Sequence, residues 1–274
     1  MSGPTAQDTP AARLEAALRA PGHSGRPALV AFLTAGYPER ARFRETLSRI
    51  AAVADAVEIG VPFSDPMADG LTIQRASAAA LAQGVTLGWI LEELARLAPP
   101  AAPLVLMGYL NPFLAYGLDR LAADAAAAGV AGFVVPDLPL DEAAPLAAAL
   151  AAHGLALVQL VTPVTPPERL ARLAAASRGF LYAVTVTGVT GGAESDPAAI
   201  AGYLDRVRRV SPCPVMAGFG VRTPEQVRAL APHADGVVVG SALIEALERG
   251  DDPGPFLALL RGATGDATSE VDGR

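Results

Sequence analysis

Eight short apolar runs, each followed by a longer stretch of helical period, leave this chain few folds to choose from. The runs cover residues 28–33, 56–60, 104–107, 132–135, 156–161, 180–184, 215–217 and 236–239. The helical stretches lie near 39–54, 73–98, 117–128, 141–152, 166–177, 197–210, 223–231 and 241–249, and the second is long enough to break into two near Gly84. Near-continuous apolar strands predict burial on both faces, as in a parallel sheet covered by helices. Eight strand–helix units within 274 residues favour closure into a (β/α)₈ TIM barrel, an α/β fold that takes about 250 residues. The alternative is an open doubly wound sheet. The turn after the first strand, Thr34-Ala35-Gly36-Tyr37-Pro38, lacks the Gly-x-Gly-x-x-Gly pattern of its dinucleotide-binding versions. The reading is therefore one barrel domain over residues 1–261, opened by a short helix near 11–20, with a disordered tail at 262–274.

Composition narrows the chemistry. The chain contains no lysine, so its 21 cationic residues are all arginine. A lysine Schiff base, a lysine-anchored pyridoxal phosphate and a Walker-type phosphate lysine are all excluded. The net charge of −7 is spread along the chain, without the basic patch that nucleic acid calls for. One cysteine, Cys213, excludes an internal disulfide and a thiolate metal cluster, and fits a cytoplasmic setting. Residues 1–10 lack a signal pattern, and no apolar run is long enough to span a membrane. None of His23, His153 and His233 falls at the C-terminal end of an expected strand, so no metal site is expected.

In a barrel, catalytic residues come from C-terminal strand ends and the loops that follow. The second strand places Glu58 inside the apolar run Val57-Glu58-Ile59-Gly60. A carboxyl there must be neutral or paired; burial would raise its pKa toward the range useful for proton transfer. The competing reading is a structural glutamate paired with an arginine. The next loop, Ser64-Asp65-Pro66-Met67-Ala68-Asp69-Gly70, carries two acids four apart, which either face a ligand or only shape a turn. Glycine-rich turns follow the last three strands: Thr187 to Gly192, Gly218-Phe219-Gly220 and Gly240-Ser241. Glycine lets backbone N–H groups approach an anion, and a helix start completes a phosphate site, although glycine also makes ordinary turns.

Over nearly its whole length the sequence resembles the tryptophan synthase alpha chain. The matching stretches are Ala31 to Pro38, Glu58 to Gly70 with Thr72-Ile73-Gln74, Met107 to Pro112, Pro136 to Pro139 and Thr162 to Thr165. They continue through Gly188 to Gly191, Gly218 to Gly220 and Gly240-Ser241. The resemblance implies retro-aldol cleavage of indole-3-glycerol phosphate to indole and glyceraldehyde 3-phosphate, a step of tryptophan biosynthesis. It casts Glu58 as the general acid–base and Asp69 as the acceptor for the indole N–H. Phe32, Tyr109, Tyr182 and Phe219 would line the indole pocket, with Thr190 meeting Asp69 when the loops close. Gly191, Gly220, Gly240 and Ser241 would hold the phosphate. It also implies a partner, the tryptophan synthase beta chain, which binds the pyridoxal phosphate and joins an alpha2-beta2 heterotetramer; Asp65, Pro66 and Asn111 occupy interface positions. No cofactor is expected in this chain. Two departures stand out: Leu71 replaces the family's usual proline after Asp-Gly, and Thr185 stands where serine is common. The competing functions are a free-standing lyase with the same active site and a non-catalytic relative that binds a phosphorylated ligand or activates a beta chain.

Overall fold

The computed structural model describes residues 8–98, 100–185, 196–218 and 220–262. Eight parallel strands close into a barrel in sequence order: β1 Ala28–Thr34, β2 Ala56–Gly60, β3 Leu104–Met107, β4 Val130–Val134, β5 Ala156–Val161, β6 Leu181–Val184, β7 Val215–Gly218 and β8 Gly236–Val239. Closure is sealed by pairing of β1 with β8, Val30 opposite Val238. The open doubly wound sheet is thereby excluded.

Twelve α-helices are described: α1 Pro10–His23, α2 Phe43–Ala51, α3 Leu71–Ala82, α4 Leu87–Ala95, α5 Leu110–Tyr116 and α6 Leu118–Ala127. The others are α7 Ala144–Ala152, α8 Pro167–Ala176, α9 Pro197–Val210, α10 Pro224–Leu230, α11 Ser241–Glu248 and α12 Pro253–Arg261. The stretch expected at 73–98 is indeed two helices, separated at Gly84, whose φ of 76° suits glycine alone. Gly129 and Gly154 likewise end α6 and α7 in the left-handed region.

Five sequence expectations need correction. β4 starts at Val130 and ends at Val134, earlier than 132–135: Val130 pairs with Leu104 and Gly132 with Val105, a register shift that passes over Ala131 and takes two more residues into the sheet. The stretches 39–54 and 141–152 each begin with a 3₁₀ turn, so α2 and α7 are shorter than their periodicity. α5 was not anticipated: seven residues are too few to show a period, and Asn111-Pro112 reads as a turn. α12 was missed because Pro253 and Pro255 hid a helix whose first turn accepts proline, with Asp252 accepting from the Gly254 N–H. The expected tail lies outside the described residues, except for Gly262.

Period-two alternation sorts the strand side chains into two layers. Leu29, Ala31, Leu33, Val57 and Ile59 face outward and pack with α2, α4 and α12 residues such as Phe43, Ile90 and Leu257. Ala28, Val30, Phe32, Val105, Val158, Tyr182 and Met216 face the barrel axis. Leu14 and Leu18 of α1, both fully buried, join that interior cluster. α1 thus packs against the end of the barrel where the strands begin, and the loops that follow the strands gather at the opposite end.

Candidate active site

β2 sets the site. Its outward residues Val57 and Ile59 anchor it to the helical layer, which turns Glu58 inward, opposite Phe32 of β1 and Val105 of β3. Glu58 is 1% exposed, and neither carboxyl oxygen has a hydrogen-bond partner among the described residues. The structural reading of a glutamate paired with an arginine finds no support among them. Burial pushes the Glu58 carboxyl up to about 8, and the nearby Asp69 carboxylate adds to the rise. A buried acid without partners stays neutral near pH 7 and holds a proton ready to give.

Asp69 reaches the same pocket from the loop between β2 and α3. The Tyr109 hydroxyl, at the entrance to α5, donates to Asp69 Oδ2 over 3.2 Å and accepts from the Ala68 N–H over 2.8 Å. Gln74 Nε2 on α3 donates to the Asp69 carbonyl at 2.8 Å. Asp69 is also raised by burial, but the Tyr109 hydrogen bond works against that rise. The two carboxyls are therefore unequal: Glu58 has no donor among the described residues, whereas Asp69 has one that favours its anion.

The pocket wall is aromatic and depends on glycines opposite the rings. A Cβ on Gly60 would come within 2.5 Å of the Phe32 ring, and one on Gly218 within 2.4 Å of the Tyr182 ring. Each ring occupies the space a side chain at those positions would fill, so both placements require glycine there. Phe63 stacks on Tyr109 with centroids 5.0 Å apart, adding an aromatic residue that sequence reasoning passed over. The signal was present, since Phe63 follows the last residue of β2 by three positions.

Gly220, Gly240 and Ser241 lie at the ends of β7 and β8. Gly240 is the N-cap of α11 and brings no side chain, so no cap occupies the helix N-terminus. That leaves backbone N–H groups available to an anion. Thr190, Gly191 and Phe219 lie outside the described residues. Thr185 keeps its hydroxyl in use, donating to the Gly218 carbonyl at 2.8 Å. Asp65 and Asn111 are exposed and Pro66 partly so, on the loop after β2 and on α5, both beside the pocket mouth. α3 begins at Leu71, so the departure from proline falls on the first residue of a helix.

A sequence model of the tryptophan synthase alpha chain matches residues 18–258. The tryptophan synthase alpha chain of Solidesulfovibrio magneticus is 50% identical over 241 residues, covering 87% of this chain and 94% of the relative. That of Chloroflexus aggregans is 48% identical over 229 residues, covering 82% and 86%. Among solved structures, tryptophan synthase from M. tuberculosis in its aminoacrylate-bound form superposes with a TM-score of 0.83 at 38% identity, covering 92% of this chain and 99% of that one. Tryptophan synthase subunit alpha from Legionella pneumophila superposes with 0.83 at 33% identity, covering 92% and 98%. This chain belongs to the tryptophan synthase alpha chain family, a family of lyases built on the (β/α)₈ barrel.

Proposed function

We propose that the chain cleaves indole-3-glycerol phosphate into indole and glyceraldehyde 3-phosphate by acid–base catalysis at Glu58 and Asp69. The observation that carries this reading is the buried Glu58 carboxyl in the middle of β2, without a hydrogen-bond partner among the described residues and close enough to Asp69 to feel its charge. The protonated Glu58 carboxyl gives its proton to the indole ring carbon that bears the glycerol chain. Positive charge then develops on the ring nitrogen, and the Asp69 carboxylate accepts the N–H hydrogen bond that stabilises it. The Glu58 carboxylate takes the proton of the hydroxyl on the attached carbon as the carbon–carbon bond breaks. The bonding pair returns to the ring, which leaves as indole, and the other fragment leaves as the aldehyde. Glu58 ends protonated, as it began.

Phe32, Tyr109, Tyr182 and Phe219 form the walls for the indole, and Gly191, Gly220, Gly240 and Ser241 hold the phosphate in this reading. Thr190 closes on Asp69 and excludes water. A beta chain docks over the mouth through Asp65, Pro66 and Asn111. Met67 and Val164, each 78% exposed, and Leu114 on α5 offer apolar surface on the same face. That partner supplies the pyridoxal phosphate, for which this chain has no lysine, in an alpha2-beta2 assembly working in the cytoplasm.

The test is indole release from indole-3-glycerol phosphate by the purified chain, alone and with a tryptophan synthase beta chain. Slow release alone and a large increase with the partner are expected. Fast release alone would identify a free-standing lyase, and none in either condition a non-catalytic binder. Glu58→Gln is expected to abolish release while leaving the fold intact by circular dichroism.

A further inference from the structure

We infer that Glu245 is a positioning residue that ties the phosphate end of the site to the loop carrying Asp69. The inference rests on the phosphate-site reading above. Glu245 sits on α11, four residues after Ser241, and uses its two oxygens on two different segments, the start of α3 and the turn between β7 and α10. Oε1 accepts from the Thr72 hydroxyl at 3.3 Å, and Thr72 is the second residue of α3, three positions after Asp69. Oε2 accepts from Arg222 Nη2, and Arg222 lies two positions after Gly220 in the β7–α10 turn. One carboxylate thus joins the phosphate turn, the helix whose N-terminus faces the phosphate, and the base of the catalytic loop.

The second half of the clasp lies one turn further along α11. Glu248 accepts from the Tyr37 hydroxyl at 2.9 Å and pairs with Arg75 of α3 at 3.4 Å. α3 is therefore fixed to α11 at two successive levels, the nearer to the site being Glu245. Arg222 holds Glu245 below the usual carboxylate range, so the carboxylate stays charged throughout the working pH. An exposed ion pair alone contributes little to stability. This one differs in where it points: each of its partners is within three residues of a proposed ligand contact. Phosphate held by the Gly220 turn and the α11 N-terminus restrains Arg222 and Glu245 together, and Thr72 carries that restraint to Asp69.

The experiment is hydrogen–deuterium exchange on the whole chain with and without saturating glycerol 3-phosphate, in the wild type, Glu245→Ala and Thr72→Val. In the wild type the ligand should slow exchange both at 240–243 and in the loop at 64–72. In both variants protection at 240–243 should persist while protection at 64–72 is lost. Loop protection that survives in Glu245→Ala would overturn the inference. Absence of protection at 240–243 in the wild type would overturn the phosphate-site reading as well, which separates the two failures. In turnover with the beta chain, Glu245→Ala should leave KM within about twofold while kcat falls about fivefold or more, the split expected of lost positioning rather than lost binding. A fall in stability alone, with loop protection intact, would reduce Glu245 to a structural ion pair and sink the proposal.

Discussion

Buried Glu58 and half-buried Asp69 lie close together, yet among the described residues only the Asp69 carboxylate receives a hydrogen bond, from Tyr109. That difference assigns their tasks in the proposed reaction. Glu58 must be protonated in the free enzyme to give its proton first, and Asp69 must be ionised to meet the indole N–H. The profile of kcat/KM against pH should then be a bell. Its basic limb should fall near pH 8, as Glu58 ionises. Its acidic limb should lie above the ordinary aspartate value of 3.8, because burial raises Asp69. Tyr109→Phe removes the donor that favours the Asp69 anion, so the acidic limb should move to higher pH while the basic limb stays. Steady-state kinetics across pH 4–10 checks this, and an unmoved acidic limb would strip Tyr109 of its positioning role. The candidate pair was legible in sequence because a carboxyl inside Val57-Glu58-Ile59 has few bland explanations. The Tyr109 bridge was not, since it joins residues forty positions apart through a loop whose path depends on the closed barrel.

At the scale of elements, the loop from Ser64 to Gly70 depends on how α3 begins. Gly70, its N-cap, has φ −72° and ψ 164°, an extended conformation that a following proline requires. Leu71 is the first helical residue, where proline is well tolerated, and its side chain is 63% exposed. Leu71→Pro should therefore fit without strain and raise stability by about 0.4–1 kcal/mol by restricting the unfolded chain. A melting midpoint raised by about 1–3 °C at unchanged kcat is the expected result. A lowered midpoint would show that the Leu71 N–H or side chain is needed. Elements were readable from sequence where period and length agreed, as in α9 and most of the strands. They were obscured where tertiary context decided, as in α5, whose entry is held by the Asp137 carboxylate accepting from the Leu110 N–H at 2.9 Å.

Across the whole molecule, α1 plugs one end of the barrel with Leu14 and Leu18 while Glu58 lies toward the other, so stability and reactivity are divided along one axis. The division is incomplete, because the same buried carboxyl that makes the site reactive weakens the fold when charged. The Glu58 carboxyl titrates at about 8 in the folded chain against 4.5 in the unfolded one. Between these values the folded state binds the extra proton, so its contribution to stability is fully present below pH 4.5 and is lost as pH rises through about 8. Glutamine cannot ionise and escapes that loss. Glu58→Gln should thus match the wild type near pH 5 and exceed it increasingly toward pH 9, by on the order of 4 kcal/mol at full ionisation. Acids remote from Glu58 titrate alike in both proteins and cancel from the difference, which leaves Glu58 and its coupling to Asp69. Melting midpoints of the two measured at half-unit intervals from pH 5 to 9 provide the check. Parallel curves would mean that Glu58 ionises as an ordinary exposed glutamate does, and the proton it is proposed to donate would then be absent at neutral pH.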